Sequence, residues 1–189
     1  MLKSVLIGAE STGKSTLAQA LAHYYKQQGY AAHVIPEYAR TYVQALNRPY
    51  TCDDVLHIAR QQCLEAQDAA PAVAPSLQAD IRSKQLFFFD TDLIVTKIWL
   101  IDKYGTCPEW VDEALSEYKP DLYLVCMPDL PFEDDPVREN PHRREYLTNL
   151  YIKEIQSLSV SYVCIYGSGE QRLVNATRAI TASSMLPSQ

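Results

Sequence analysis

The sequence predicts an α/β fold built around a parallel sheet. Five short apolar runs alternate with segments of helical periodicity along the 189 residues, which is the pattern of consecutive β-α-β units. The run Leu86-Phe87-Phe88-Phe89 contains no polar alternation, as expected for a strand that is buried on both faces. A glycine-containing turn separates the first apolar run from the first helical segment. These three observations predict the fold class.

The apolar runs and their flanking turn residues place each element. The predicted strands cover residues 4–8, 31–35, 85–89, 121–127 and 162–166. The predicted helices cover residues 14–28, 37–46, 51–66, 91–103 and 109–118, followed by one that ends near residue 158 and one that ends near residue 182. Thr51 with Asp54 three residues later is typical of a helix start.

We expect one domain over residues 1–182 and a frayed tail over residues 183–189. Residues 128–144 contain four prolines and no apolar period, which predicts a loop or a mobile lid. Pro71 and Pro75 should break the third helix and leave a joint at residues 69–76.

Composition narrows the class of protein. Apolar residues make up 47% of the chain, charged residues make up 21%, and the net charge is −6. An acidic chain is unsuited to binding nucleic acid or an anionic membrane surface. The five cysteines form no Cys-x-x-Cys pair, and no apolar run approaches the length of a membrane span. We therefore expect a cytoplasmic protein with reduced thiols.

The stretch GAESTGKST, residues 8–16, carries the strongest functional signal. It fits the pattern G-x-x-x-x-G-K-[ST] without a mismatch and lies between a predicted strand and a predicted helix. The glycines allow backbone N–H groups to converge on phosphate oxygens, Lys14 can reach the β- and γ-phosphates, and the Ser15 hydroxyl can bind Mg²⁺. The predicted nucleotide-binding residues of this loop are Gly8, Glu10, Ser11, Thr12, Gly13, Lys14, Ser15 and Thr16.

Acidic residues follow two predicted strands and should open onto the same sheet edge as the phosphate-binding loop. Asp90 ends the third strand, where it can hold Mg²⁺ through water. Asp92 can cap the next helix or bind a substrate hydroxyl. Glu37 follows the second strand and can accept a hydroxyl proton, while Arg40 can pair with Glu37 or hold a phosphate. The sequence does not decide whether Glu37 or Asp90 orients the hydroxyl.

Three further features are candidates for ligand contacts. Arg138 and Arg143 in the proline-rich stretch can neutralise a phosphoryl group in transit, and for Arg144 a solvated loop position is equally expected. Gly167 ends the fifth strand, where an adenine base can lie or where the chain simply turns. Trp99 can stack on a substrate ring or serve only in packing.

Several segments in order resemble the ribosylnicotinamide kinase domain of NadR-type proteins. They are GAESTGKST, EYAR, FFDTD with Trp99 and the later KYG, DLYLV with a D-x-P-[FW]-x-x-D-x-x-R lid, and GSGEQR. Together they span residues 3–180. The resemblance implies a three-layer P-loop kinase fold with a five-stranded parallel sheet, helices on both faces and a lid, close to the nucleoside monophosphate kinases.

The resemblance also implies an activity and a set of roles. It implies transfer of the γ-phosphate of ATP, with Mg²⁺, to the 5′-hydroxyl of ribosylnicotinamide in NAD synthesis. Lys14, Ser15 and the rest of the loop hold the ATP phosphates and the metal, and Arg138 and Arg143 act from the lid. It assigns Asp90 and Asp92 to the metal and the ribose, and Glu37 and Arg40 to the acceptor site. Tyr38 and Trp99 are further predicted substrate-binding residues. Pro136 and Phe132 depart from the family pattern, which expects glycine and tryptophan there.

Two other functions remain open at the level of sequence. One is a regulatory ATPase or nucleotide-dependent switch, although the chain lacks the N-K-x-D motif that a GTPase normally carries. The other is a deoxynucleoside or nucleotide kinase, which shares the chemistry and differs in the acceptor pocket. The expected partner is a small-molecule nucleoside in each kinase reading, and oligomeric state cannot be predicted.

Overall fold

A computed structural model describes residues 1–68, 85–133 and 142–183 of the chain. The described residues form five strands and seven helices. The strands are β1 (Leu2–Ile7), β2 (Ala31–Ile35), β3 (Gln85–Asp90), β4 (Leu122–Cys126) and β5 (Tyr162–Ile165). The helices are α1 (Lys14–Gln27), α2 (Tyr38–Ala45), α3 (Cys52–Asp68), α4 (Leu93–Tyr104), α5 (Glu109–Glu117), α6 (Arg144–Ser157) and α7 (Gly169–Ala182).

All five strands are parallel and form one sheet in the order β2-β3-β1-β4-β5. Leu6 of β1 lies opposite Asp90 of β3 on one side and Leu124 of β4 on the other. After β3 the chain crosses to the far side of β1 to form β4. Ligands bind in open parallel sheets beyond the carboxyl ends of the strands where the chain changes direction, so this topology places the candidate site beyond the end of β1.

Helices cover both faces of the sheet. One buried cluster joins α1 and α7 to β1, β3 and β4 through side chains such as Leu21, Phe88 and Ile180. A second cluster on the opposite face includes Ile94 of α4, Val111 of α5 and Tyr123 of β4. Burial on both faces is why the strands are almost continuously apolar. The predicted five-stranded, three-layer α/β fold is confirmed.

The element boundaries differ from the predictions by a few residues. β1 begins at Leu2, before the predicted start at residue 4, and β3 extends to Asp90. Helix α2 begins at Tyr38 and leaves Glu37 as its N-cap. The joint predicted at residues 69–76, residues 134–141 of the predicted lid and most of the predicted tail lie outside the described residues.

Two helices begin with side-chain caps. Asp54 accepts hydrogen bonds from the Thr51 backbone N–H (2.7 Å) and hydroxyl (2.8 Å), so the predicted start of α3 is confirmed. Asp92 caps α4 by accepting from the Ile94 backbone N–H at 3.1 Å, and its other oxygen accepts from the Tyr123 hydroxyl at 2.5 Å. The first N–H groups of a helix have no carbonyl partner within the helix, and each carboxylate accepts a hydrogen bond from one of them.

Burial raises the pKa of Asp92 to about 6 despite the bonds to Tyr123 and Ile94. A carboxyl whose folded-state pKa is raised favours the folded state most when it is protonated. Its contribution to stability is therefore greatest below the unfolded pKa of about 3.9 and falls as the pH rises to about 6.

We predict that Asp92→Asn gains stability relative to the wild type as the pH rises from 4 to 7.5. Asparagine keeps the capping oxygen and carries no charge, so the difference in unfolding free energy should change by up to about 3 kcal/mol. Thermal unfolding at several pH values measures it, with the exposed Asp53→Asn as the control. A difference that stays constant over this range would contradict the raised pKa.

Candidate functional site

The loop between β1 and α1 is held tightly against the end of β4. A Cβ atom at Gly8 would lie 2.4 Å from the backbone carbonyl oxygen of Cys126 and 2.9 Å from the Thr12 hydroxyl oxygen. Neither neighbour leaves room for a side chain at this position. The first glycine of the loop is therefore required by the close approach of two backbone segments.

The second half of the loop turns directly into α1. Gly13 has a φ of 72°, in the left-handed region that glycine adopts without strain. The Lys14 ammonium donates to the Ala9 carbonyl oxygen at 2.9 Å, and the Thr12 hydroxyl donates to the same oxygen at 2.8 Å. The loop is thus closed on itself by its own side chains, with the lysine at the first residue of the helix.

A cavity of about 720 Å³ lies beside this loop. The loop supplies one wall, and every predicted nucleotide-binding residue from Gly8 to Thr16 lines it. A second wall comes from α2, α3, α4 and the turns that precede them. Its residues include Glu37, Ala39, Arg40, Val43, Tyr50, Gln62, Thr91, Val95, Thr96, Ile98, Trp99 and Asp102. The volume is in the range of small-molecule sites.

Glu37 and Arg40 lie in this cavity, as the sequence predicts. Glu37 precedes the first turn of α2 in an extended conformation, and its side chain does not cap the helix. Helix α2 contains no fully buried residue, because its inner face, with Ala39 and Val43, borders the cavity. The carboxylate and the guanidinium therefore face the same space as the phosphate-binding loop.

Trp99 also lines the cavity, together with a tyrosine that the sequence did not single out. The rings of Tyr50 and Trp99 meet edge to face with centroids 4.8 Å apart. The Lys103 ammonium lies 4.0 Å from the centroid of the Tyr50 ring. Tyr50 belongs to the short segment between α2 and α3, where no periodicity indicates which way a side chain points.

Asp90 is buried at the end of β3, and its Oδ1 atom has no hydrogen-bond partner in the described part of the chain. A buried carboxylate oxygen without a partner is costly unless a ligand satisfies it. Ser15 lines the cavity, and Mg²⁺ is usually held by one or two protein oxygens together with substrate phosphates and water. Asp90 and Ser15 fit that donor set.

Asp92 does not line the main cavity, and the prediction that it contacts substrate is corrected. Both of its oxygens are used internally, by the Ile94 N–H and the Tyr123 hydroxyl. It borders a separate space of about 40 Å³, smaller than a nucleoside, on the sheet side of α3. Of the two roles that the sequence left open, the helix cap is the one that the structure shows.

Two other predicted contacts are placed elsewhere. Tyr38 does not line the cavity; its hydroxyl is 3.0 Å from His57 Nε2, and its ring stacks on Tyr42. The Gly167 N–H donates to Asp129 at 2.6 Å, and the cavity is lined by Gly169 in its place. Tyr38 lies next to Glu37 and Ala39, and Gly167 lies two positions before Gly169, and these neighbours do line the cavity. The end of a strand in the sequence does not specify which way the following turn directs its residues.

Arg143 and Arg144, at the end of the proline-rich stretch, make different contacts. Arg143 forms a bidentate ion pair with Asp102 of α4, at 2.7 and 2.6 Å, and this guanidinium lowers the pKa of the Asp102 carboxyl. Arg144 donates to the backbone carbonyl oxygens of Leu130 (2.8 Å) and Ser11 (3.3 Å). Arg143 is thus held at the cavity rim, Arg144 joins α6 to the phosphate-binding loop, and Arg138 lies outside the described residues.

Sequence analysis missed a buried ion pair that shapes a third wall of the cavity. Arg172 of α7 is 3% exposed and pairs with Asp129 at 2.8 Å, while donating to the Met127 carbonyl oxygen at 2.9 Å. It thereby ties the segment after β4 to the turn after β5. Arg172 ends the GSGEQR segment, in which only the glycines indicate a function. A charged residue in the first turn of a helix is normally exposed, so the sequence gives no sign that this one is buried.

Solved structures with the same fold include two of NadR proteins and one thymidylate kinase. A NadR protein in complex with NR superposes with a TM-score of 0.73 at 21% identity, covering 100% of this chain and 53% of that one. A NadR protein in complex with NAD and AMP-PNP gives 0.70 at 20% identity, covering 100% and 51%. Thymidylate kinase from Ehrlichia chaffeensis gives 0.63 at 11% identity, covering 96% and 97%.

These likenesses confirm the P-loop kinase-like fold that the sequence resemblance implies. The chain spans about half the length of the two NadR structures. No curated protein sequence matches it.

A family model also matches most of the sequence. The model is described as an AAA domain and matches residues 3–172. That stretch runs from β1 to the first turn of α7 and includes the phosphate-binding loop, Asp90 and Arg172. The chain belongs to this AAA domain family.

Proposed function

We propose that the chain is an ATP-dependent kinase that phosphorylates the 5′-hydroxyl of a nucleoside, with ribosylnicotinamide as the favoured acceptor. One observation carries the proposal: a single cavity is lined both by the phosphate-binding loop and by Glu37, Arg40 and Trp99. A kinase needs room for a second substrate in line with the terminal phosphate of the first. This cavity supplies that room next to a carboxylate.

The donor side follows from the loop. Its backbone N–H groups and the α1 N-terminus favour bound phosphates, and Lys14 can exchange the Ala9 carbonyl oxygen for a phosphate oxygen. Ser15 and Asp90 would hold Mg²⁺, which neutralises charge on the phosphates when it is bound. ATP is the proposed nucleotide, since the chain lacks the guanine-binding motif N-K-x-D.

On the acceptor side, Glu37 is the better candidate for orienting the hydroxyl. Glu37 lines the cavity, whereas Asp90 is buried at the end of β3 and is not among the lining residues. A carboxylate in hydrogen-bond reach of a hydroxyl can accept its proton during transfer. We therefore assign Glu37 to the hydroxyl and Asp90 to the metal. Arg40, and Arg138 with Arg143 from the proposed lid at residues 128–144, would neutralise the moving phosphoryl group.

Two observations favour ribosylnicotinamide among nucleosides. The edge-to-face pair of Tyr50 and Trp99 provides aromatic surface on which a flat ring can pack. The sequence resemblance names the same substrate, and a protein with this fold has been solved in complex with NR. The proposed enzyme works in the cytoplasm on a small molecule, in NAD synthesis, without nucleic acid or a membrane. No helix in the described ranges is long and apolar enough to cross a bilayer.

A regulatory ATPase is the second candidate. The family model is described as an AAA domain, and an ATPase would use the same loop without an organic acceptor. A nucleotide kinase is a variant of the first proposal, favoured by the likeness to thymidylate kinase over 96% of the chain. The three functions differ in what receives the phosphoryl group.

We predict that ribosylnicotinamide, added to the protein with Mg²⁺ and ATP, raises the rate of ADP formation at least about tenfold over the rate without acceptor. The reason is that an acceptor hydroxyl held next to the terminal phosphate reacts in place of bulk water. A coupled assay over ribosylnicotinamide, common nucleosides and nucleoside monophosphates measures it. An unchanged rate with every acceptor would contradict the kinase, and stimulation only by a monophosphate would favour the nucleotide kinase.

We predict that Lys14→Ala lowers kcat by at least about 100-fold, because it removes the ammonium that stabilises the negative charge of the phosphoryl group during transfer. The melting temperature should change by less than about 5 °C, since the side chain lines the cavity and loses only its bond to the Ala9 carbonyl oxygen. Lys26→Ala, at the exposed end of the same helix, is the matched control and should leave both quantities unchanged. Loss of stability with retained activity would show that the loop has a structural role only.

A further inference from the structure

Tyr151 of α6 is a polar side chain in the cavity wall that the proposed mechanism does not yet use. Its side chain is 5% exposed and packs in the buried cluster on the α4 and α6 side of the sheet. The same residue lines the cavity together with Leu147, one helical turn earlier. A tyrosine in this position has an apolar ring fixed by packing and a polar hydroxyl that can serve a ligand in the cavity.

The position of α6 relative to the phosphate-binding loop is fixed near Tyr151. Arg144, two turns before Tyr151 on the same face of the helix, donates to the carbonyl oxygen of Ser11 in the loop and to that of Leu130. The segment that contains Leu130 is itself joined to the loop, since the Glu133 N–H donates to the Ser11 hydroxyl at 3.1 Å. The phenol is therefore held at a set distance from the loop.

Charged residues from both halves of the site act on the Tyr151 hydroxyl. Burial raises its pKa above the usual value, and the carboxylates of Glu10, Glu37 and Asp102 raise it further, while Arg143 opposes them. Glu10 belongs to the phosphate-binding loop and Glu37 to the acceptor side. The cavity that Tyr151 lines is also lined by Glu10 and Lys14 of the loop and by Glu37, so the phenol borders the space that the nucleotide and the acceptor would share. Its environment keeps the phenol protonated, so it can donate a hydrogen bond.

We propose that the Tyr151 hydroxyl donates a hydrogen bond to an oxygen of the terminal phosphoryl group of the bound nucleotide. Hydrogen bonds to an anionic oxygen are about twice as strong as neutral ones. A protonated phenol adds no negative charge beside Glu10 and Glu37, so it can donate to a phosphate oxygen in this cavity. The inference rests on the nucleotide-binding half of the proposed function and is independent of the acceptor.

The test compares two nucleotides that differ in the terminal phosphate. Isothermal titration calorimetry in the presence of Mg²⁺ measures the Kd of AMP-PNP and of ADP for the wild type, Tyr151→Phe and Tyr25→Phe. Tyr151→Phe should weaken AMP-PNP binding by about 10- to 100-fold and change ADP binding by less than about twofold. Measuring both nucleotides on the same variant also corrects for partial unfolding, since an unfolded fraction would lower the apparent affinity for AMP-PNP and for ADP by the same factor.

Tyr25→Phe is the matched control. Tyr25 is 3% exposed on the opposite face of the sheet, and its buried hydroxyl lies outside the cavity. It should bind both nucleotides as the wild type does. Equal weakening of ADP and AMP-PNP by Tyr151→Phe, or no weakening of either, would overturn the assignment. If the wild type binds both nucleotides but phosphorylates no acceptor, the proposed kinase fails while the result for Tyr151 still stands.

Discussion

The contact between the phosphate-binding loop and the end of β4 is the constraint on which the site depends. With Gly8 against the Cys126 carbonyl oxygen, no side chain fits between them, so the loop must leave β1 in one direction. That direction places Lys14 at the start of α1 with its ammonium over the loop. The parallel neighbours of β1 then bring Asp90 to the same edge. A larger residue at Gly8 would move the loop away from both.

The features most closely tied to backbone geometry could be predicted from sequence. The loop pattern, the apolar runs and the cap at Thr51 each have a local physical cause, and the structure confirms them. Side-chain direction beyond a strand end has no such local cause. Tyr38 and Asp92 were expected to face the acceptor, yet one turns toward His57 and the other toward Tyr123. Tyr151 was missed because a tyrosine at helical spacing among apolar residues is normally part of the core.

The arginines near the cavity differ in whether they stabilise the structure or can bind a phosphate. Arg172 is used up in a buried pair with Asp129, and Arg144 in bonds to backbone carbonyl oxygens. Arg172 maintains a wall of the cavity, and its charge would be costly to bury without Asp129. Arg144 connects α6 to the phosphate-binding loop. Arg143 is different because its bidentate partner Asp102 borders the cavity and both side chains are partly exposed. An exposed pair is worth little to stability, so a bound phosphate can compete with Asp102 for this guanidinium.

The central claim is that the phosphoryl group passes to a nucleoside and not to water. Phosphorus NMR of a reaction with ATP, Mg²⁺ and ribosylnicotinamide follows the group directly. The account predicts a phosphomonoester resonance that grows in step with ADP, with inorganic phosphate remaining minor. Inorganic phosphate accumulating in step with ADP, with no phosphomonoester from any nucleoside supplied, would contradict it.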